Sequence, residues 1–240
     1  KKKISINGTR YEISGDPSQT VLVFIHGLGL NKEMWQYQVN YFKERYCILT
    51  YDLFGHGCSK RSKNKPSLSV FAMQLREVLS ELKLSNIVLI GFSLGGMIAR
   101  FFAKTYPLMV DGLVILNSPH KRSALAQEAV YKRFLEVKEK GPYSTVNDAI
   151  KRWFTPEFDE KNKEITDLVR TWILSNDSDI YSKNYHVLVT GVDEVIGLHE
   201  MISCPTLVVT SDQDFGNGPE MAQAIADEIA DARLVIIKGL

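Results

Sequence analysis

The stretch Ile87-Val88-Leu89-Ile90-Gly91-Phe92-Ser93-Leu94-Gly95-Gly96-Met97-Ile98-Ala99-Arg100 decides the fold of this chain. It opens with an apolar run of strand length, closes with apolar residues at helical spacing, and carries Gly-x-Ser-x-Gly between them. That is a strand, a sharp turn and a helix, with Ser93 at the tip. A serine hydroxyl is a poor nucleophile. To attack a carbonyl it must stand clear of the sheet, within reach of a base and beside backbone N–H groups that can receive an oxyanion. Glycines two residues on either side let the turn form without a Cβ collision. Alone the match is common by chance, and an ordinary strand-to-helix turn with a surface serine explains it equally well. The rest of the chain has to decide.

Outward from the turn, apolar runs recur at Val21-Leu22-Val23-Phe24-Ile25, Cys47-Ile48-Leu49, Leu113-Val114-Ile115-Leu116, Thr206-Leu207-Val208-Val209 and Leu234-Val235-Ile236-Ile237. Strands apolar on both faces belong inside a parallel sheet covered by helices on each side. Helical spacing at about 34–44, 68–83, 94–105 and 219–230 supplies the covering layers, so the expected class is α/β with a mostly parallel central sheet. Residues 3–6 and 10–13, flanking Asn7-Gly8, read as a small hairpin. Ligands of such a sheet sit beyond the C-terminal strand ends. Those ends carry His26-Gly27-Leu28-Gly29, Asp52-Leu53-Phe54-Gly55-His56-Gly57-Cys58-Ser59, the serine turn, and Ser211-Asp212-Gln213-Asp214.

Residues 118–200 show no strand. Amphipathic stretches at about 122–139, 145–153, 160–175 and 178–189, broken at Gly141-Pro142 and Thr155-Pro156, predict a helical insertion lying over the site as a lid. The expected organisation is core 1–117, lid 118–200 and core 201–240.

Composition sets the bounds. A chain of 240 residues with 45% hydrophobic and 24% charged residues has the make-up of a globular domain with a real core. A net charge of +1 gives no field favouring nucleic acid or an anionic membrane. The Lys1-Lys2-Lys3 start reads as a solvated terminus, without the apolar segment of a signal peptide. Cys47, Cys58 and Cys204 are too scattered for a disulfide framework or a metal spacing, so a reducing cytoplasm is the expected setting. No metal or other cofactor is expected, since the glycine-rich loops lack a P-loop lysine and no dinucleotide fingerprint follows the first strand.

Taken together, His-Gly-x-Gly, Asp-x-x-Gly-x-Gly-x-Ser, Gly-x-Ser-x-Gly-Gly and the late acid, in this order, resemble the α/β-hydrolase superfamily from about residue 10 onward. The resemblance implies Ser93 as nucleophile, with the backbone N–H groups of Leu28 and Leu94 as oxyanion hole. It implies Asp214 as the acid, three residues after the position that Ser211 fills in place of the family's glycine, and leaves Asp212 as a loop residue. The family's base follows the last strand. None of His26, His56, His120, His186 and His199 is at that position, so the expectation is a longer parent protein and a 240-residue chain of impaired activity.

Lys151-Arg152-Trp153-Phe154-Thr155-Pro156, with Trp172 behind it, resembles the lid of 3-oxoadipate enol-lactonase-type enzymes, which act on a small lactone bearing a carboxylate. Arg152 would pair with that carboxylate, and Trp153 and Phe154, with Trp172, Tyr181 and Tyr185, would line an apolar pocket; packing of the lid explains most of these aromatics as well. The expected partner is therefore a small ester or lactone, hydrolysed through an acyl-enzyme. Carbon–carbon or amide hydrolysis on the same scaffold, and a non-catalytic ligand-binding member, remain open alternatives.

Overall fold

The computed structural model describes residues 2–239; Lys1, the start of the expected charged terminus, and Leu240 lie outside them. The chain forms one eight-stranded sheet from β1 (Lys2–Ile4), β2 (Arg10–Ser14), β3 (Val21–Ile25), β4 (Cys47–Tyr51), β5 (Ile87–Phe92), β6 (Val110–Leu116), β7 (Thr206–Ser211) and β8 (Ala232–Ile237). Their spatial order is β1-β2-β4-β3-β5-β6-β7-β8. From β4 to β8 every pairing is parallel; β2 runs antiparallel to β4, and β1 antiparallel to β2. The α/β class is as the apolar runs imply.

Alternation within the strands explains the layers. Val21, Val23 and Ile25 of β3 join the large core, whereas Leu22 and Phe24 face a smaller one with Trp35, Ile48 and Ile90. On the large-core side lie α2 (Leu68–Leu82) and α3 (Leu94–Thr105); α1 (Gln36–Phe42) closes the other, entered through a 3-10 turn at Lys32–Trp35. Burying each such aliphatic side chain contributes about 1.5–3 kcal/mol, so the doubly buried strands carry much of the fold.

The register matters for function. Ile25 pairs with Gly91, Phe92 with Leu116, and Leu116 with Val209. The chain therefore leaves β3, β5, β6 and β7 at the same edge, and their following loops meet there.

Between β6 and β7 the described residues contain helices only: α4 (Ala124–Lys140), α5 (Val146–Trp153), α6 (Pro156–Lys161), α7 (Lys163–Leu174) and α8 (Ser178–Thr190), with short 3-10 turns. Gly141, at φ 76°, ends α4. Thr155 does more than break the pattern, because its hydroxyl accepts from the Phe158 N–H and caps α6, with Pro156 in the first turn. The stretch expected at about 160–175 is α7, and the short helix α6 ahead of it is set off at Asn162, whose side chain donates to the Phe158 carbonyl and so turns the chain. The first hairpin strand also stops earlier than the alternation suggests. Ser5 and Asn7 take the Thr9 N–H on their side-chain oxygens and build a side-chain-bonded turn instead. A last helix, α9 (Pro219–Asp227), packs on β7 and β8. Among the described residues no helix is long and apolar enough to cross a membrane.

Candidate active site

Ser93 sits between β5 and α3 with φ 53° and ψ −115°, a backbone conformation that costs a residue with a Cβ. Its surroundings hold it there. The Ser93 N–H donates to the Leu116 carbonyl (2.9 Å), and the Ser93 carbonyl accepts from Gly96 N (2.9 Å), Met97 N (3.3 Å) and Ser118 Oγ (2.9 Å). Ser118 is fixed in turn by the buried guanidinium of Arg100, which also donates to the carbonyls of Gly96, Val195 and Pro119. The flanking glycines are required by contact. A Cβ on Gly91 would lie 2.2 Å from the Gly95 carbonyl oxygen, and one on Gly95 would lie 2.2 Å from that of Ile25. The helix thus approaches the sheet closely enough for its first turn to open on the strand ends.

The loop after β3 is held from below and above. His26 is fully buried; its Nε2 accepts from the Leu53 N–H (3.0 Å), which leaves the proton on Nδ1 to donate to the Gly27 carbonyl (2.8 Å). Burial lowers its pKa to about 4, so the ring is neutral and structural. His56 packs edge-on against it at 5.2 Å, its pKa lowered to about 3 by burial and by its neighbour, and its Nε2 has no partner. Asp52 accepts from the N–H groups of Lys32 (2.8 Å) and Cys58 (2.9 Å) and shapes the adjoining turn. From above, Asn176 donates to the Gly29 carbonyl (3.0 Å) while also bonding the end of α7. Among the described residues, the N–H groups of Leu28 and Leu94 have no protein acceptor. Leu94 is the first residue of α3, where the helix dipole favours negative charge.

Asp214 follows β7. Its Oδ1 accepts from the N–H groups of Gly216 and Asn217 (2.8 Å each) and its Oδ2 from Asn117 Nδ2 (2.7 Å). Asn117, at φ 45° just after β6, is itself held by its N–H to the Val209 carbonyl and by Asn217, whose side chain donates to the Asn117 carbonyl. Asp212 is spent elsewhere: it is exposed and accepts from the Gly239 N–H.

A cavity of about 130 Å³ joins these parts. Ser93, Leu28, Asn117 and Asp214 line it from the strand ends. Arg122, Arg133, Arg152, Trp153, Tyr181 and Tyr185 line it from the helical segment. A second hollow of about 400 Å³ adjoins it, sharing Asn117, Arg152, Trp153 and Asp214 and adding Phe154 and Trp172. Arg152, Trp153 and Phe154 are therefore all brought to the serine side. Phe154 also stacks on Phe158 at 5.3 Å, and Trp153 is 45% exposed, so packing occupies the first more than the second. None of the five histidines lines the cavity; His120 pairs with Glu228 at 2.9 Å. Sequence reasoning missed Asn117, Asn176, Arg122 and Arg133. Only Asn117, directly after an apolar strand, left a signal there. Among the described residues no group of three or more His, Cys, Asp or Glu is placed to hold a metal.

The family model for the alpha/beta hydrolase fold matches residues 20–159. Among curated relatives, "(E)-2-((N-methylformamido)methylene)succinate hydrolase" of Acinetobacter baylyi is 28% identical over 218 residues, covering 91% of this chain and 81% of its own. "3-oxoadipate enol-lactonase 2" of the same organism is 26% identical over 230 residues, covering 95% and 84%. Among solved structures, the enol-lactonase from Burkholderia xenovorans LB400 superposes with a TM-score of 0.87 at 23% identity, covering 96% of this chain and 89% of that one.

Proposed function

We propose that this chain, which belongs to the alpha/beta hydrolase fold family, cleaves a small carboxylic ester or lactone through an acyl intermediate on Ser93. The observation that carries the reading is the meeting, at one cavity, of a serine on a strained turn, the Leu28 loop with its unspent N–H and a fixed carboxylate, with the unspent N–H of Leu94 next to the serine in the chain. Ser93 Oγ adds to the carbonyl carbon, and the oxygen that becomes negative is received by the N–H groups of Leu28 and Leu94. Removing one such donor costs about 2.7–4 kcal/mol of transition-state stabilisation. Collapse expels the alcohol, or opens the lactone ring, and water then releases the acid. A base takes the Oγ proton during attack and returns it to the leaving oxygen, and Asp214 is placed to orient that base, its carboxylate set by Asn117 and two loop amides. Residues 118–200 act as a lid, and Arg152 holds a carboxylate of the substrate. The relative named as an enol-lactonase supports the lactone.

A second reading is favoured by the 28% identical relative, whose name is that of a hydrolase acting on an N-methylformamido compound: the same acyl chemistry, with an amine-type leaving group. A matched panel of lactone, ester and enamide substrates separates the two.

Attack requires the Oγ proton to leave, and among the described residues no histidine lines the cavity. The test therefore supplies a base. With p-nitrophenyl acetate, added imidazole should accelerate acetylation of the chain, and peptide mapping should put the acetyl group on Ser93. Equal labelling of Ser93→Ala, or an acetyl group mapped to another residue, refutes the nucleophile.

A further inference from the structure

Three arginines line the cavity over Ser93, and Asp214 is the one acidic residue among the groups that line it with them. Asp214 is already occupied by Asn117 and two loop N–H groups. Among the described residues, neither Arg122, Arg133 nor Arg152 has a carboxylate within ion-pair distance. They come from three places: Arg122 precedes α4, Arg133 lies on α4 and Arg152 on α5. Arg122 is braced by Gln127 and the Leu188 carbonyl (3.2 Å each), which fixes its guanidinium. Arg133 has a buried Nε with no hydrogen-bond partner. Burial, and repulsion from Arg133, lower the pKa of both Arg122, to about 10, and Arg152.

Like charges gathered at a half-buried cavity, with a donor left unpaired, cost stability unless an anion offsets them. One substrate carboxylate on Arg152 leaves two guanidiniums uncompensated. We propose that the site takes an acyl substrate bearing two carboxylates besides the carbonyl that is attacked, one on Arg152 and the second on Arg133 together with Arg122. A small substrate of four to six chain carbons suits a cavity of about 130 Å³. This rests on the reading that the cavity over Ser93 is where substrate binds, but not on the acyl chemistry.

The test is binding, by calorimetry on the Ser93→Ala protein so that nothing turns over. Two esters are compared: monomethyl glutarate, with one free carboxylate, and the 1-methyl ester of propane-1,2,3-tricarboxylate, with two. The second should bind about tenfold tighter or better. Arg133→Gln should erase that difference while leaving the one-carboxylate ester within about twofold, and Arg133→Lys should keep part of it. Equal affinities for the two esters, no binding of either, or an equal loss for both in Arg133→Gln overturns the proposal. So does inorganic phosphate competing as well as the two-carboxylate ester, which would mark a general anion site. Failure of Ser93 to acetylate, with the ester preference intact, would remove the acyl chemistry and leave this inference standing.

Discussion

At the serine turn the groups that matter are backbone: a serine at positive φ, amides free of acceptors, and glycines whose hydrogens face carbonyl oxygens a Cβ would strike. Across the same cavity, in residues 118–200, they are the ends of long side chains, Arg122, Arg133 and Arg152, with Trp153 half exposed among them. Backbone so placed admits one arrangement; arginine side chains supplied by different segments can be exchanged singly. Under the proposed function, reaction chemistry lies in the stiff half and selectivity in the adaptable one.

That contrast can be broken in several places. The largest effect belongs to acid. His26 and His56, under the stiff loops, are neutral in the fold with pKa values near 4 and 3 and regain an ordinary value when unfolded. The unfolded chain therefore binds more protons below pH ~6.5, so their contribution is complete above that pH and is lost as pH falls, by about 1.4 kcal/mol per unit for each ring. The loss runs on to about pH 4 for His26 and about pH 3 for His56. Urea midpoints at pH 7 and 5 measure it. His56→Phe, which also removes an unpartnered buried nitrogen, should flatten the slope; an unchanged slope in that variant contradicts the assignment.

Next comes Gly95→Ala. Its methyl would lie 2.2 Å from the Ile25 carbonyl oxygen and 2.7 Å from that of His26, forcing α3 off the sheet at a cost of about 1–3 kcal/mol. Thermal melting checks the cost, and Ser93 labelling should fall with it. If Gly95→Ala labels at the parent rate, the stiff half is softer than its contacts imply.

Asn117→Asp is a finer probe, nearly isosteric but with the donor to Asp214 replaced by an acceptor. Two carboxylates then share one site, so one of them is protonated at higher pH than an isolated carboxylate. The expected result is a roughly tenfold slower imidazole-assisted acetylation below neutral pH, recovering as pH rises. The smallest effect should come from Arg61→Ala, which removes the ion pair to Asp177 at the start of α8. Both partners are about half exposed, so the change in stability should stay within about 1 kcal/mol. A larger loss in chemical denaturation would mean that the helical segment is anchored more firmly than proposed.

The two halves also differed in how far they could be read from sequence. Strand ends, the serine turn and the acid loop were legible because sheet and turn geometry fix residue types at fixed spacings. Ser93, Leu28 and Asp214 lie at one cavity. The helices of 118–200 were legible as helices, but the Asn162 division was hidden because its cause is a side-chain bond to Phe158 that helical spacing does not encode. Arg122 and Arg133 had no motif at all. They are brought toward Arg152 by the packing of α4 and α5 on the 3-10 turn Pro142–Ser144 and of α4 on α8, which no local pattern announces. Asn176 escaped for the same reason, since its partner Gly29 is distant in the chain.

The buried imidazole of His26 has one more use. Its Nδ1 proton is shared with the Gly27 carbonyl at 2.8 Å in a fully buried setting, where exchange with solvent is slow. Such a proton can persist as a resolved resonance at the low-field end of a proton NMR spectrum. It would act as a built-in reporter, registering whether the loop that bears Leu28 is assembled in a sample containing neither substrate nor label.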